Sequence, residues 1–341
     1  MIISHIAMNT LPIRPELPWL APLAGYSDLP FRMLCRELGA AVTCTEMVSA
    51  KGLNYFNKGT SSLLATQPSD TPLVLQLFGA EPDIFAQAMD KLLEKGFCFF
   101  DLNAGCPVRK VTKTGSGSRL LEDVDLLCAL AKVMVERAGP GSVGVKTRLG
   151  WEKGDEIYLD VARRLEDLGV AWITLHPRYG RQMFTGNANW AHLARLKKAV
   201  SIPVVGSGDL YSAEDGKRCL DETGIDAVMF ARGALYDPTI FQRFTALMRG
   251  KTPPERDGAT LSDIVCRHIR YTRKYEGSER SFRKVRSFIP RYAKGLRDIR
   301  SLRQELGLCN TWEELEKTAA RIAEMVPSTP PPFDPAEFLS A

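Results

Sequence analysis

Residues 98–107 read CFFDLNAGCP. The apolar residues at the start of this stretch predict a buried strand at 98–103, and the asparagine, glycine and proline that follow predict a sharp turn where the strand ends. The same order recurs along the chain, because short apolar runs end in polar or glycine-containing clusters and longer helical stretches follow them. This alternation is typical of parallel strands joined by crossover helices.

The alternation predicts an α/β fold, a (β/α)8 TIM barrel, within residues 1–250. Eight strands in roughly 230 residues match a closed barrel better than an open sheet. An open, doubly wound sheet stays an alternative, because hydrophobic periodicity does not distinguish a closed sheet from an open one. The predicted strands lie near 19–21, 41–46, 73–77, 98–103, 143–147, 171–175, 203–207 and 226–230. The predicted helices lie near 28–38, 82–95, 122–138, 155–168, 189–199, 212–223 and 233–248.

Unusual polar and glycine-rich clusters favour the closed barrel. Almost all of them follow directly after a predicted strand, and the carboxyl ends of the strands are where barrel enzymes build active sites. These clusters are 23–25, 46–47, Gln76, 103–107, Lys146, His176, 207–209 and 232–233.

Beyond the barrel, the chain divides into three further parts. Residues 251–259 form a polar linker with two prolines. Apolar residues then recur at helical spacing, so residues 260–326 predict a small helical domain that is interrupted or kinked at Pro290. The proline-rich residues 327–341 predict an extended tail.

The composition is that of a globular protein, with 45% apolar and 25% charged residues in a chain of 341. No stretch approaches the roughly 18 apolar residues of a spanning helix, and the N-terminus lacks a signal-peptide pattern. We therefore expect a cytoplasmic protein without membrane contact. The eight cysteines contain no CxxC pair and the four histidines lack zinc spacing, so neither a disulfide framework nor a metal site is predicted.

The net charge of +5 is unevenly distributed. Between Arg267 and Arg303, 13 Lys and Arg residues stand against 3 Asp and Glu residues, a local balance of +10. A charge run is usually a solvated helix face, but such a face commonly mixes signs, and acidic partners are nearly absent here. We therefore expect this segment to bind a polyanion. The basic residues beside its apolar stripe are Arg283, Lys284, Arg286, Arg291, Lys294, Arg297, Arg300 and Arg303.

Three side chains at the predicted strand ends have both a functional and a structural interpretation. Cys106 lies between Gly105 and Pro107 on a turn that presents its thiol at the barrel mouth, although a lone cysteine is more often a small buried hydrophobe. Lys146 would point into the barrel, either as half of a salt bridge or as an electrophilic group beside an anionic ligand. His176 lies at the same rim. It is either part of a functional site or a structural residue whose hydrogen bonds are satisfied within the protein.

The turns after the last two strands, at 205–209 and 230–233, contain small residues, backbone amides and an arginine. Barrels commonly bind phosphate at these two loops. Together the turns predict a phosphate site.

Motifs in one order along nearly the whole chain resemble the tRNA-dihydrouridine synthases. The resemblance implies an FMN-binding barrel followed by a helical RNA-binding domain, which agrees with the division at 251–259. It also implies tRNA and NAD(P)H as partners. The motifs are APLAGYSDLPFR at 21–32, Gln76, DLNAGCP at 101–107 with Lys110-Val111, VKTR at 145–148, TLH at 174–176, Gly208-Asp209 and Ala231-Arg232.

The resemblance further implies a role for individual residues. Cys106 would be the catalytic acid, and Asn103 would hold the uracil ring beside it. The flavin ring would be bordered by Pro22, Leu23, Ala24, Gln76, Lys146 and His176. The FMN phosphate would meet Ser207, Gly208, Asp209, Ala231 and Arg232. Apart from the resemblance, we assign Arg178, Arg283, Lys284, Arg286 and Arg291 to binding of the tRNA substrate.

The implied reaction reduces the C5–C6 double bond of uridine. NADPH would reduce a tightly bound FMN, hydride would pass from the flavin N5 to C6 of a flipped-out uridine, and Cys106 would protonate C5. We expect a monomer. Two other functions stay open. One is a dihydroorotate dehydrogenase-like flavin barrel acting on a free pyrimidine, and the other is a non-catalytic RNA-binding protein whose barrel has lost its activity. The basic segment disfavours the first, and the intact rim disfavours the second.

Overall fold

The computed structural model describes residues 11–54, 58–294, 296–297 and 299–326. All eight predicted strands are present in it, and one of them is divided in two. The nine strands found in these ranges are β1 (Trp19–Leu20), β2 (Val42–Cys44), β3 (Val48–Ser49), β4 (Leu73–Phe78), β5 (Phe99–Ala104), β6 (Val143–Thr147), β7 (Trp172–Leu175), β8 (Val204–Gly206) and β9 (Ala227–Phe230). The predicted tail at 327–341 lies outside the described residues.

Parallel pairing closes this sheet on itself. The strands follow the order β2-β1-β9-β8-β7-β6-β5-β4, and β2 pairs back to β4 with Thr43 opposite Leu73 and Cys44 opposite Val74. The predicted (β/α)8 TIM barrel is therefore confirmed. The open, doubly wound alternative is wrong, because an open sheet has two unpaired edge strands.

The divided strand is the second one of the barrel, where the sequence predicts a single strand at 41–46. Both β2 and β3 pair with β4, and residues 45–47 leave the ladder between them. Thr45 keeps this segment attached, because its Oγ1 accepts a hydrogen bond from Gln76 N over 3.1 Å. Extra residues in a strand re-aim side chains next to active sites. Here they direct Glu46 to the backbone N–H of Gly25 in the first βα loop.

Helices cover the outside of the barrel, and each predicted helix has a counterpart. Three short helices, α2, α3 and α5, were not predicted. The first nine helices are α1 (Leu29–Glu37), α2 (Ala50–Asn54), α3 (Lys58–Leu63), α4 (Pro82–Glu94), α5 (Arg109–Thr112), α6 (Val124–Ala138), α7 (Tyr158–Asp167), α8 (Ala191–Ala199) and α9 (Ala213–Thr223), with a 3-10 turn at Gly117–Glu122 before α6.

The structure corrects the predicted helix at 233–248. It consists of two helices, α10 (Arg232–Tyr236) and α11 (Ile240–Met248). Pro238 explains the break, because proline lacks a backbone N–H and disfavours helical backbone in the residue before it. Asp237, in that position, has φ −140° and ψ 89°.

The C-terminal part is helical, as the sequence predicts. It contains α12 (Gly258–Tyr275), α13 (Glu279–Tyr292), α14 (Ile299–Leu308) and α15 (Trp312–Ala320), with a 3-10 turn at Arg321–Glu324. Pro290 lies inside α13, which continues only to Tyr292. Residues 251–257, which the sequence assigns to the linker, form no helix or strand.

The helical part shares one apolar core with the barrel's first helix. Phe31 of α1 lies 5.7 Å, between ring centroids, from both His268 of α12 and Phe288 of α13. Polar contacts border this core, because Tyr271 and Arg267 of α12 both bond to the carboxylate of Glu37. The first βα loop and α1 are therefore held between the barrel and the helical part.

The inside of the barrel is apolar at the bottom and polar at the mouth. Successive side chains of a strand alternate in direction, so Phe99, Asp101 and Asn103 of β5 all face inward. Phe99 belongs to an apolar cluster with Trp19 and Trp172, whose rings meet edge to face at 5.9 Å. This apolar cluster supports the polar side chains above it.

Candidate active site

A directional chain of hydrogen bonds runs from Asp101 to the Cys106 turn. Gln76 Nε2 donates to Asp101 Oδ2 over 2.6 Å, and Asn103 Nδ2 donates to Gln76 Oε1 over 2.8 Å. Asn103 Oδ1 then accepts from the backbone N–H groups of Gly105 (3.2 Å) and Cys106 (2.9 Å). A backbone N–H only donates, so the Cys106 end of the chain fixes the orientation of both amides and makes Asp101 Oδ2 the final acceptor.

The Cys106 turn is also held from its outer side. Arg148 Nε donates to Gly105 O over 2.9 Å, and Ser118 donates to Cys106 O from both its N (3.0 Å) and its Oγ (3.1 Å). Gly117 has φ +64°, and a Cβ there would lie 2.5 Å from Cys106 O. The position of the thiol is therefore set by close packing as well as by hydrogen bonds.

The Cys106 thiol is half-buried and has a raised pKa. Burial is the largest cause, and a backbone hydrogen bond and the charges of Arg148 and Lys146 only partly oppose it. A thiol with a raised pKa is protonated at neutral pH. This suits a proton donor better than a nucleophile.

Lys146 extends from β6 into the polar mouth. Within the described part of the chain, no carboxylate lies within 4.0 Å of its ammonium group, so the salt bridge that the sequence left open is not formed. Burial lowers the pKa of Lys146, and the charge of Asp101 opposes this shift. Burial likewise raises the pKa of Asp101, whose Oδ1 is buried with no hydrogen-bond partner among the described residues.

His176 and Arg178 form a fixed pair at the end of β7. Arg178 is 1% exposed, and its Nη1 donates to His176 Nε2 over 3.0 Å. Its remaining nitrogens donate to Thr185 O, Gly186 O and Asp209 Oδ2. Burial and the surrounding cations hold the pKa of His176 well below its ordinary value, so the ring is neutral with its proton on Nδ1.

The predicted phosphate loops meet beside this pair. Gly208 has φ +107°, and a Cβ there would lie 2.7 Å from the His176 ring, so only glycine fits. The side chain of Asp209 is fully engaged, accepting from Arg178, Ala188 N (2.7 Å), Tyr211 (3.0 Å) and Arg232 (3.3 Å). Asp209 therefore has only its backbone to offer to an anion. Ser207 is buried, and its N–H donates to Leu175 O.

Arg232 begins α10, directly after Ala231, and has an unsatisfied donor. Its Nη1 is buried with no hydrogen-bond partner among the described residues. Its guanidinium lies 5.1 Å from the Tyr211 ring and 5.5 Å from the Phe184 ring. A buried cationic donor without a partner is costly unless a ligand satisfies it. The donor set thus fits a phosphate group.

The first βα loop completes the mouth. Pro22 and Leu23 are half-buried and Ala24 is exposed. The loop turns through hydrogen bonds from Tyr26 N and Ser27 N to Leu23 O, each 2.9 Å long. These residues add apolar surface to a mouth whose polar side chains include Lys146 and Gln76.

The basic segment is less free than the sequence indicates. The near absence of acidic partners holds only within the segment, because the fold supplies carboxylates from distant positions. Arg270 pairs with Glu316 at 2.9 Å and Arg273 with Glu313 at 2.7 Å. Lys284 pairs with Asp28 of the first βα loop.

The other predicted RNA contacts differ in exposure. Arg283 is exposed, and its one ion pair among the described residues is with Glu279 of its own helix, at 3.2 Å. Arg286 donates to the carbonyls of Gly307 (3.3 Å) and Cys309 (3.1 Å) at the end of α14. Arg291 lies over the Tyr26 ring at 5.0 Å.

Sequence reasoning gave no role to Asp101 or Arg148, although both stand in the motifs quoted above. For Asp101 a signal exists, because a residue two positions before Asn103 in a strand faces the same side. Arg148 acts through three carbonyls in the loops after β5 and β7, which no local pattern indicates.

Two features are absent from the described residues. No group of three or more His, Cys, Asp or Glu side chains is arranged to hold a metal ion. No described helix combines the length and apolar character needed to cross a membrane.

Fold and site together define a class. A closed α/β barrel with a protonated thiol, a buried lysine and an unsatisfied arginine at its mouth is a barrel enzyme suited to an anionic cofactor.

Comparison with known proteins gives the family. The sequence model described as Dihydrouridine synthase (Dus) matches residues 19–326. The chain therefore belongs to the dihydrouridine synthase family, and the resemblance found in the motifs is confirmed.

Two curated relatives are named as tRNA-dihydrouridine synthases. The probable tRNA-dihydrouridine synthase 1 of Synechocystis sp. is 36% identical over 298 residues, which cover 86% of this chain and 82% of the relative. The tRNA-dihydrouridine synthase B of Pseudomonas aeruginosa is 31% identical over 326 residues, covering 95% of each chain.

Among solved structures, a morphinone reductase variant in complex with tetrahydroNAD is similar in fold. The TM-score is 0.50 at 12% identity, and the match covers 72% of this chain and 89% of that one. At this identity the likeness supports the barrel fold alone.

Proposed function

We propose that the protein reduces the C5–C6 double bond of uridine in tRNA, in the cytoplasm, with FMN as its bound cofactor and NADPH as the electron source. Family membership and the tRNA-dihydrouridine synthase names of the relatives support this reaction. The observation that supports it most directly is the fixed, protonated thiol of Cys106 beside the amide of Asn103.

The residues at the mouth fit FMN. Arg232 offers an unsatisfied cationic donor to the phosphate, together with the backbone of Gly208, Asp209 and Ala231, whereas the backbone N–H of Ser207 already donates to Leu175 O. Pro22, Leu23 and Ala24 would border the ring, and Gln76, Lys146 and His176 would meet its polar edge. When bound, FMN would supply the hydride that is added at C6 of uracil.

The chain's own residues perform the remaining chemistry. Asn103 holds the uracil ring, and Cys106 transfers its proton to C5, so that hydride and proton together saturate the bond. The Cys106 thiolate then regains a proton from solvent. Lys146 stabilises negative charge that develops at the mouth, because its ammonium group has no carboxylate partner at short range.

The predicted RNA contacts take different roles in this proposal. Arg178 acts by holding His176 and the loop at 185–186, since each of its three nitrogens donates within the protein. Lys284, Arg286 and Arg291 organise the helical part and its contact with the first βα loop. Arg283 is the strongest candidate of the group for a phosphate contact, because it is exposed and its single partner within the described part of the chain is an exposed glutamate. Residues 260–326 are the proposed tRNA-binding region.

The decisive experiment uses the Cys106→Ala variant loaded with flavin. We expect it to retain the yellow cofactor but to lose the mass gain of about 2 Da per reduced uridine in tRNA. A variant that keeps both the flavin and the mass gain would contradict the role of Cys106. Wild-type protein that reduces free uracil as fast as tRNA would favour a free-pyrimidine enzyme, and protein that binds no flavin would favour the non-catalytic alternative.

A further inference from the structure

The loop after β7 holds a strained apolar residue at the barrel mouth. Met183 has φ +56°, and only one other described non-glycine residue, Asp209, has a positive φ. Its side chain is 37% exposed, so burial of apolar surface does not explain the strain. Strained backbone of this kind persists where surrounding contacts over-determine it, and such residues cluster at functional sites.

Buried arginines impose this conformation. Arg148 Nη1 donates to Met183 O over 2.6 Å and to Tyr179 O over 2.8 Å. Arg178 fixes the far end of the same loop, through Thr185 O at 3.2 Å and Gly186 O at 2.6 Å. The strain of Met183 is therefore maintained by two cations that are themselves almost fully buried.

The same guanidinium places Met183 beside the thiol turn. While Nη1 of Arg148 holds Met183 O, its Nε holds Gly105 O, next to Cys106. Val108, two residues after Cys106, is 43% exposed. In the described ranges four large apolar side chains are exposed, and two of them, Val108 and Met183, flank the thiol turn.

A basic cleft lies beside Val108, because its lining begins at the next residue, Arg109. Residues 105–121 contain four Lys or Arg and no Asp or Glu. All four, at positions 109, 110, 113 and 119, are exposed. Three of them line a cleft of about 390 Å³ together with Trp151, whose ring lies 5.0 Å from the Arg119 guanidinium.

We propose that Met183 and Val108 form an apolar wedge that contacts the bases next to the target uridine, and that the adjoining cleft binds phosphates of the same RNA strand. The inference rests on the proposed reduction of uridine in tRNA. A base that leaves its stack opens a gap between its neighbours, and apolar side chains inserted there compensate for the lost stacking. Exposed cations hold the backbone through its phosphates.

The test compares folded tRNA with a short, unstructured oligonucleotide that contains the same target uridine, mapped beforehand in tRNA. Met183→Gly removes the wedge and relieves the positive φ, so the variant folds. We expect its kcat/KM to fall about tenfold more on folded tRNA than on the oligonucleotide, because wedge contacts matter when a base must be extracted. Glu136→Gln, on the outer face of α6 and outside the proposed tRNA-binding region, should leave the two substrates in their wild-type ratio.

Two further measurements separate the parts of the proposal. The double variant Arg109→Gln/Lys113→Gln should bind both RNAs more weakly, and its binding affinity should depend less on salt concentration. With a 2-aminopurine beside the target position, flavin-loaded wild type without NADPH should raise the fluorescence and Met183→Gly should not.

The outcomes distinguish this inference from the function on which it rests. If wild type reduces neither RNA, the proposed function fails. If wild type reduces both and Met183→Gly keeps the wild-type ratio and fluorescence, the wedge is wrong while the function stands. If the cleft variant binds both RNAs as wild type does, at every salt concentration, the cleft is not an RNA surface.

Discussion

Asp101 and Cys106 are connected through two side-chain amides, so a carboxylate deep in the barrel determines how the thiol turn is presented. The connection starts at a 2.6 Å hydrogen bond to Gln76 and ends at the 2.9 Å bond between Cys106 N and Asn103. Because an amide has one donor end and one acceptor end, reversing any one of them breaks the chain. We therefore assign Asp101 a positioning role.

Replacement of Asp101 tests that role. Asp101→Leu leaves the Gln76 donor buried without an acceptor, so we expect a loss of about 1–3 kcal/mol in the free energy of unfolding and a larger effect on kcat than on KM. Asp101→Asn still offers an acceptor and should restore most of kcat. Urea unfolding and steady-state kinetics on tRNA measure both effects, and equal damage by the two variants would contradict the positioning role.

The pH dependence of proton transfer follows from the raised pKa of Cys106. The thiol must be protonated to act, so activity is lost as pH rises through its pKa. Because burial raises that pKa, the alkaline limb should lie above the ordinary range of a thiol. Single-turnover oxidation of the reduced flavin by tRNA measures this limb. Cys106→Ser should remove the limb as well as most of the rate; an unchanged limb in that variant would assign it to another group.

Arg232 should recognise the cofactor's phosphate. Removal of a hydrogen bond to a charged group costs about 1.5–3 kcal/mol, so Arg232→Gln should weaken FMN binding by roughly 10- to 100-fold. Riboflavin has no phosphate and serves as the matched ligand. Titration of flavin-free protein with each ligand gives the comparison, and an equal loss for riboflavin would show that Arg232 shapes the site without contacting phosphate.

His268 should make folding stability depend on pH. Burial lowers its pKa from 6.5 to about 4, while its Nδ1 lies 2.9 Å from the Tyr292 hydroxyl. The unfolded chain then binds a proton that the folded chain does not, so stability is complete above pH 6.5 and declines as pH falls toward 4. The shift corresponds to about 3 kcal/mol. Urea unfolding of wild type and His268→Gln at pH 7 and pH 5 should show a smaller decline for the variant.

Lys284 and Arg283 are neighbours in sequence, but we expect their replacement to affect different properties, stability for Lys284 and tRNA binding for Arg283. Lys284→Ala leaves Asp28 near Glu276, whose pKa is already raised by burial and by Asp28, so we expect a less stable junction. Arg283→Ala removes an exposed charge and should weaken tRNA binding in a salt-dependent manner, with little change in stability. Thermal unfolding and filter binding distinguish them; a reversal of the two effects would contradict the assignment.

The barrel was predictable because its signal is local. Alternation along each strand and a polar cluster at its end were enough to place eight strands and the thiol turn. The division of the second strand was not predictable, because it depends on how residues 45–47 pair with β4, which the local sequence does not show. The break at Pro238 had a local signal in the proline itself.

The sequence predicted which residues form the candidate site better than it predicted what each residue does there. Cys106, Lys146 and Arg232 stand at strand ends, where sequence reasoning placed them. Arg178 is different, because its four partners lie in the loops after β7 and β8 and no local pattern indicates them. The same reason applies to the basic segment, whose carboxylate partners lie far away in sequence, at Glu37, Glu313 and Glu316.

The shared core of Phe31, His268 and Phe288 limits how this protein can be recombined with its relatives. A transplant of residues 260–326 alone would bring new α12 and α13 surfaces against an α1 shaped for the old ones. The smallest exchangeable module is therefore discontinuous: the helical part together with α1 and the loop before it. Chimeras intended to redirect the enzyme to another uridine should be cut at those boundaries.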